Sequence, residues 1–226
     1  MKITRFVLLV TILLSGSLFA QKTEVTFKAD SLPTIKERGL AFIHEETNLE
    51  NYYKVGSVEI KASDFNDLVI ELQAVSNDLF ANAFKYKKQN TDENGFTAHY
   101  DLYSVSLDHL RNNDEYRENN VIYFFGNDAK IQKFKINMEK MKLEPGAILK
   151  YEIPKNEEVK INKGGFMGMS VYHFWEENQP VIFYAFGSGN LSSSNYSHRS
   201  LGFNVSTGKI LPLRTEMAYL FMALER

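Results

Sequence analysis

The run Val121-Ile-Tyr-Phe-Phe125 is apolar at every position, and a short continuous run of this kind is typical of a strand buried on both faces. Further short strands follow it, with turn signals between them, at 148–153, 159–161, 169–175, 181–186 and 201–205. Strands spaced about 8 to 12 residues apart indicate a sandwich or barrel. The pattern therefore predicts an antiparallel β-sandwich over residues 121–226, closed by a C-terminal helix at 216–226. We expect the strands at 169–175 and 181–186 to pair as a hairpin.

An α+β unit is predicted upstream, over residues 38–107. Short strands at 40–43 and 55–61 precede a helix that Ser63 or Asp64 can cap. The apolar side chains of this helix recur at three- and four-residue spacing, at Leu68, Leu72, Val75 and Leu79. Extended character returns at 81–87. The fold expected for the whole chain is an α+β unit followed by an antiparallel β-sandwich with a C-terminal helix, mostly β overall.

Two polar segments frame the α+β unit. Residues 21–37 lack an apolar pattern and are expected to form a loose polar lead-in. Residues 108–120, with the sequence DHLRNNDEYRENN, are the most polar stretch of the chain. We expect this second segment to be a linker and a domain boundary.

Part of the α+β unit resembles a known module. The matching pieces are Tyr52-Tyr53-x-Val55-Gly56-x-Val58, the helix over 68–79, and Ala81-Asn82-Ala83-Phe84. This outline is similar to a small β–β–α–β module of bacterial envelope proteins. The envelope-stress sensor lipoprotein of enteric bacteria and a proposed heavy-metal-binding family share it. The resemblance covers residues 40–88 and implies an envelope location and an α+β module; no active residue carries over.

The first 20 residues predict a secretory signal peptide. Lys2 and Arg5 supply a positive segment, the nine-residue run 6–14 is apolar, and Ala20 ends a stretch of small residues. The apolar run is shorter than the roughly 20 residues that a membrane-spanning helix needs, so an uncleaved anchor is the less favoured alternative. We expect cleavage after Ala20, with a cut after Ser17 left open, and a periplasmic or secreted protein without a later transmembrane segment.

Composition narrows the class of protein further. The chain has no cysteine, which excludes a lipid-anchored bacterial precursor and a disulfide-stapled scaffold. Loss of residues 1–20 leaves 24 basic residues against 28 acidic ones, a net charge of −4. This mild charge gives no reason to expect nucleic acid or an anionic membrane as a partner. The glycine-rich run 164–169 lacks the Lys-Ser/Thr pair of a phosphate-binding loop, and no cofactor is expected.

Two segments are candidates for ligand binding. Strand alternation places His173 and Trp175 on one face, where an aromatic ring beside a histidine can form a platform for a carbohydrate; a packed core position is the alternative. The long Ser/Asn/Gly loop at 187–200 is the second candidate, because long irregular loops often carry function. Its candidate contact residues are Tyr196, His198 and Arg199.

Two pairs of residues are candidate metal ligands. His44 and Glu46 lie at strand spacing, and so do His99 and Asp101, so the members of each pair share a face. Imidazole and carboxylate groups are ligands for divalent cations. For both pairs, a solvated strand surface is the alternative interpretation.

No catalytic motif is present, and the sequence leaves three hypotheses for function. The favoured one is an exported, non-enzymatic binding or interaction protein of the cell envelope or medium, with an envelope protein or a glycan as its partner. The second is a hydrolase with a dispersed, metal-assisted site of histidines and carboxylates. The third is a structural surface protein.

Overall fold

The structure is a computed structural model that describes residues 22–31, 39–92, 95–126, 130–164, 168–186 and 209–225. The expected signal peptide lies outside these residues. So does the whole segment 187–208, which contains the 187–200 loop and the strand predicted at 201–205. Three helices lie in the described part: α1 (Phe65–Asp78), α2 (Leu107–Asp114) and α3 (Thr215–Leu224). The described strands are β1 (Lys22–Lys28), β2 (Ala41–Phe42), β3 (Tyr53–Ala62), β4 (Ala83–Asp92), β5 (Gly95–Ser104), β6 (Val121–Phe125), β7 (Gln132–Ile136), β8 (Glu139–Leu143), β9 (Ile148–Glu152), β10 (Glu158–Lys163), β11 (Met169–Phe174), β12 (Ile182–Phe186) and β13 (Ile210–Pro212).

The mostly-β, α+β fold class is confirmed, and the strands form three sheets. The N-terminal sheet has five strands in the order β1-β3-β5-β4-β2. The middle sheet has the order β13-β12-β6-β9, and the outer sheet has the order β11-β10-β7-β8. Two pairings, β2 with β4 and β6 with β12, are parallel, so the N-terminal and middle sheets are mixed rather than purely antiparallel. None of the described helices is long and apolar enough to cross a membrane.

The helix predicted in the α+β unit is present as α1. Asp64 is its N-cap, and the Asp64 carboxylate accepts a hydrogen bond from the backbone N–H of Asp67 at 2.8 Å. Leu68, Leu72 and Val75 are buried against the N-terminal sheet, as their spacing predicts. Gly56 on β3 allows this close packing, because a Cβ there would lie 2.7 Å from Leu79 Cδ1.

The polar lead-in expected at 21–37 is wrong for residues 22–28, which form β1. This strand lies at the edge of the N-terminal sheet and pairs with β3. Its side chains are mostly exposed, Val25 and Phe27 included. Val25 and Phe27 alternate with Glu24, Thr26 and Lys28, a short strand pattern that the interpretation of this segment as a polar lead-in overlooked.

The interpretation of the run 121–125 as a doubly buried strand is confirmed. All five residues of β6 are buried. Ile122 and Phe124 point into a core shared with the outer sheet, whereas Val121, Tyr123 and Phe125 belong to the core shared with the helices and the N-terminal sheet. The middle sheet is therefore an inner layer, which explains why its central strand is apolar on both sides.

The hairpin expected between 169–175 and 181–186 is wrong. Strand β11 pairs with β10 in the outer sheet, and β12 pairs with β6 and β13 in the middle sheet. The connection between them switches sheets, and Asn120 fixes it: its side-chain amide donates to the Glu176 carbonyl and its Oδ1 accepts from the Glu176 N–H. Short loops normally join paired strands, so the local sequence did not indicate that these two strands lie in different sheets.

The linker expected at 108–120 contains most of helix α2 instead. This helix docks through Asn113, which is 1% exposed. Its Nδ2 donates to the Phe42 carbonyl at 2.8 Å, and its Oδ1 accepts from the His44 N–H at 2.9 Å and from the Thr47 hydroxyl at 2.8 Å. The carboxamide thus satisfies the free edge of β2 as a neighbouring strand would. A helix held by polar contacts shows no apolar stripe, so periodicity did not reveal it.

The C-terminal helix α3 was predicted and joins the two halves of the chain. It contacts β2 and β4 of the N-terminal sheet and β12 of the middle sheet. The Phe221 ring meets the Phe65 ring of α1 at 5.5 Å and the Phe125 ring of β6 at 5.4 Å, both edge-on. One hydrophobic core therefore runs through both halves.

Replacing Phe221 by Ala is expected to lower the free energy of unfolding by about 3 to 5 kcal/mol, because it opens a cavity in the shared core. Since Trp175 is the one tryptophan and lies beside the outer sheet, its fluorescence reports on the C-terminal half, and circular dichroism reports on the whole chain. We expect both signals to change in one shared transition at a lower denaturant concentration. The conservative F221L variant should lose less stability. If the denaturation midpoint followed by Trp175 fluorescence were the same in F221A as in the native protein, the shared core would be contradicted.

Replacing Asn113 by Ala is expected to lower the free energy of unfolding by about 3 kcal/mol, because buried backbone and hydroxyl groups lose their partner. Asn112 is the matched control, since it is exposed on the same helix. The N112A variant should change stability by less than about 0.5 kcal/mol. Equal effects in the two variants, measured by chemical denaturation, would show that the Asn113 amide does not hold α2 in place.

Candidate binding surface

The outer face of the outer sheet carries a concentration of lysine side chains. Strand alternation turns Phe134, Ile136, Val159 and Ile161 into the sandwich core and leaves the intervening residues outside. On the β7–β8 hairpin the intervening residues form directly opposed pairs, Lys133 with Lys142 and Lys135 with Lys140. These four lysines are exposed or half-buried. Lys160 on β10 extends the same face.

Exposed aromatic side chains continue this face onto the edge strand β11. Tyr172 is 51% exposed and Phe174 is 57% exposed. Tyr172 lies opposite Lys160 in the strand register, and the Lys160 ammonium lies 5.2 Å from the centre of the Tyr172 ring. At the same end of the sheet, Met138 in the β7–β8 turn is 75% exposed. The outer face thus combines lysines with apolar side chains that the core does not use.

The predicted pair His173 and Trp175 lies on the other side of the same strand. The His173 Nε2 atom is 2.8 Å from the Tyr184 hydroxyl, and burial lowers the pKa of His173. Trp175 is half-buried beside the second core, with the Lys155 ammonium 5.5 Å from its ring centre. The predicted contact residues Tyr196, His198 and Arg199 lie outside the described residues. The platform hypothesis for His173 and Trp175 stays a prediction.

Sequence reasoning missed the residues that make up the outer face. The same alternation that grouped His173 with Trp175 puts Tyr172 and Phe174 together on the opposite side. The spacing Lys-x-Lys occurs at 133–135 and again at 140–142, on either side of a turn. A hairpin with such spacing places its lysines on one face, so this signal was available in the sequence.

The candidate ligands His44 and Glu46 follow β2. His44 is 9% exposed, and its ring lies 4.5 Å from that of Tyr219, edge-on. Burial and the nearby Arg117 guanidinium lower the pKa of His44, although Glu46 and Asp114 act in the other direction. The neutral form of this histidine is therefore favoured relative to that of a free histidine, and its ring packs among aromatic side chains.

The candidates His99 and Asp101 lie on the face of the N-terminal sheet that turns away from α1. His99 Nδ1 lies 3.6 Å from Glu59. Asp101 accepts hydrogen bonds from Lys54 and from the Ser57 hydroxyl, both at 2.7 Å. Burial acts to raise the pKa of Asp101, but these hydrogen bonds and the ammonium groups of Lys54 and Lys87 bring it below its usual value. In the part of the chain that the structure describes, no group of three His, Asp or Glu side chains is placed to hold a metal ion.

An open cleft of about 310 Å³ lies between β2, α2 and α3. Leu40, Leu107 and Leu110 form its apolar wall, and Arg214 and Glu216 lie at its polar side. Glu216 also accepts from Arg117 at 3.4 Å, which ties the start of α3 to the end of α2.

Lys163 is a buried lysine at the inner side of β10, 6% exposed. Its ammonium donates to Gln132 Oε1 at 2.5 Å and lies 4.4 Å from the centre of the Phe186 ring. Burial, with a smaller effect of Lys130, lowers the pKa of Lys163 from 10.5 to about 8. The charged form is therefore less stable in the folded protein than in the unfolded chain.

The free energy of unfolding of the native protein is expected to rise relative to that of a Lys163→Met variant as the pH goes from about 8 to 10.5. Over this range the unfolded chain binds the Lys163 proton and the folded chain does not, so stability increases with pH. The difference should grow by about 1 to 3 kcal/mol, since each unit of pKa is worth about 1.4 kcal/mol. Tyrosine titration is common to both proteins and cancels. Denaturation curves with a constant difference across this range would contradict a depressed pKa.

Comparisons of the chain with protein-family models, with curated protein sequences and with solved structures find no significant match. The resemblance of residues 40–88 to envelope modules stays a prediction from the sequence. Two residues of that outline nevertheless have structural roles here: Gly56 admits Leu79, and the Asn82 amide pairs with both backbone groups of Val105, at 2.7 and 2.8 Å.

Proposed function

We propose that this protein is exported and acts, without catalysing a reaction, as a binding protein in the cell envelope or outside the cell. Its contact surface is the outer face of the outer sheet. The observation that carries this proposal is the exposure of Tyr172 and Phe174, side by side on the edge strand β11, each with more than half of its surface in solvent.

Exposed aromatic residues in this position suit a contact surface. Tyrosine and phenylalanine each bury about 150 to 250 Å² when they are covered, so they dominate the energetics of interfaces. Both are enriched at interfaces relative to the rest of a protein surface. In the described part of the chain, β11 pairs with β10 alone, and Met169 at the start of β11 accepts from the Ile210 N–H through its sulfur at 3.4 Å.

Export is supported by the N-terminal sequence. The charged, apolar and small-residue segments of 1–20 follow the order of a signal peptide. The fold depends on two large hydrophobic cores and on no disulfide. The resemblance of residues 40–88 to envelope modules points to the same location.

A Y172A/F174A variant is expected to lose binding to its partner while it keeps its stability. The native protein, recovered after export and checked by mass for a first residue at Gln21, is screened against cell-wall glycans and purified envelope proteins. For any ligand found, the double variant should bind about tenfold more weakly or worse, since two central aromatic contacts are lost. Its thermal stability should stay near that of the native protein, because exposed side chains contribute little to folding.

The matched control is the F27A/Y53A variant. Phe27 is 47% exposed and Tyr53 is 45% exposed, and both lie near the free edge of the N-terminal sheet. This control removes the same two side-chain types from another surface and should keep the native affinity. An equal loss of affinity in the two double variants would overturn the proposed contact surface. So would a ligand that binds both variants as tightly as it binds the native protein.

A further inference from the structure

The lysines of the β7–β8 hairpin are placed against one another and not against carboxylates. Lys133 is directly opposite Lys142, and Lys135 is directly opposite Lys140. Among the described residues, none of these four ammonium groups forms an ion pair, whereas Lys54 lies 2.7 Å from Asp101 and Lys150 lies 2.5 Å from Glu118. Glu158, which is exposed opposite Phe174, is a carboxylate on the same face, but it lies on β10 and forms no ion pair with these four lysines among the described residues.

Opposed lysines are unfavourable for the folded protein by themselves. Like charges directly opposite on neighbouring strands destabilise a sheet. The whole chain is slightly acidic, with 26 basic and 28 acidic residues, so this positive face is a local feature and not a consequence of composition. An anionic ligand laid across the hairpin would remove the repulsion and gain charge-assisted hydrogen bonds from the ammonium groups.

The groups beside the lysines indicate which kind of anion fits. In strand register, Lys140 and Lys135 are followed by Asn162 on β10 and Ser170 on β11, and the aromatic rings of Tyr172 and Phe174 lie on the same face. Asn162 Nδ2 donates to the Ser170 hydroxyl at 2.9 Å, so these two groups are bonded to each other, and the flat rings are the groups that can cover the apolar face of a sugar. A lipid headgroup would need only the charges.

We propose that the outer sheet binds an anionic polysaccharide, whose carboxylate or sulfate groups lie on the β7–β8 lysines and whose sugar rings reach the β11 aromatics. This inference rests on the proposed function, because it names the ligand of the same face. The ligand chain crosses the strands from the lysine pairs toward the edge, so charge selects it at one end and stacking holds it at the other.

The test measures binding of an oligomer of galacturonic acid and of its fully methyl-esterified, uncharged form by the native protein. Two variants remove the same number of charges: K133Q/K135Q/K140Q/K142Q on the hairpin, and K61Q/K87Q/K88Q/K209Q on exposed lysines elsewhere.

The native protein should prefer the acid form, and added salt should weaken that binding. The hairpin variant should bind the acid form about tenfold more weakly or worse, and the control variant should bind within about twofold of the native protein. The hairpin variant should unfold at an equal or higher temperature, because repulsion is relieved.

Each other outcome overturns the inference in a distinct way. Equal binding of the acid and the ester, or equal losses in both lysine variants, would show that the hairpin does not select charge. Binding to phosphatidylglycerol vesicles with none to the oligomer would assign the lysines to a lipid surface. A ligand whose affinity falls in the Y172A/F174A variant but is unchanged in the hairpin variant would contradict this inference. The proposed function would still hold in that case. If both the aromatic and the lysine variants match the native protein for every ligand found, the proposed function fails as well.

Discussion

The packing of Phe221 between Phe65 and Phe125 is the interaction on which the rest of the structure depends. It places a C-terminal helix between the N-terminal sheet and the middle sheet, so both halves bury part of their apolar surface against the end of the chain. The middle sheet is then covered on both sides, by helices on one and by the outer sheet on the other. That constraint explains the unbroken apolar sequence of β6.

Asparagine side chains fix the places where the sheets end or the chain changes sheet. Asn113 caps the free edge of β2, Asn82 pairs with Val105, and Asn120 holds the connection between β11 and β12. Asn137 does the same at the β7–β8 turn, where its amide bonds the Glu158 carbonyl and the Lys160 N–H. A carboxamide has one donor side and one acceptor side, so it can replace a backbone peptide where no neighbouring strand is available. The fold thereby satisfies irregular backbone without disulfides.

The outer sheet differs from the N-terminal sheet in the charge pairing and the exposure of its surface side chains. Asp101 on the N-terminal sheet is surrounded by ammonium groups, and its polar face is internally compensated. The outer face has lysines opposite lysines and two half-exposed rings. The described part of the N-terminal sheet thus pairs its charges, whereas the outer sheet keeps positive charge and apolar area exposed. This contrast is the physical basis of both proposals.

Local patterns in the sequence were sufficient for the elements whose stability is local or whose burial is complete. The Asp64 cap, the stripe of Leu68 and Leu72, the doubly buried β6 and the C-terminal helix all follow from capping and periodicity. Tertiary structure alone decided that β11 and β12 belong to different sheets, that β1 pairs with β3, and that α2 docks through Asn113. In each of these cases the partner is distant in the chain, and the contact is a backbone or amide hydrogen bond, which local patterns in the sequence do not specify. The candidate binding surface was predictable to the same extent. The Lys-x-Lys spacing can be read from the sequence, but only the register of β7 with β8 shows that the lysines lie opposite one another.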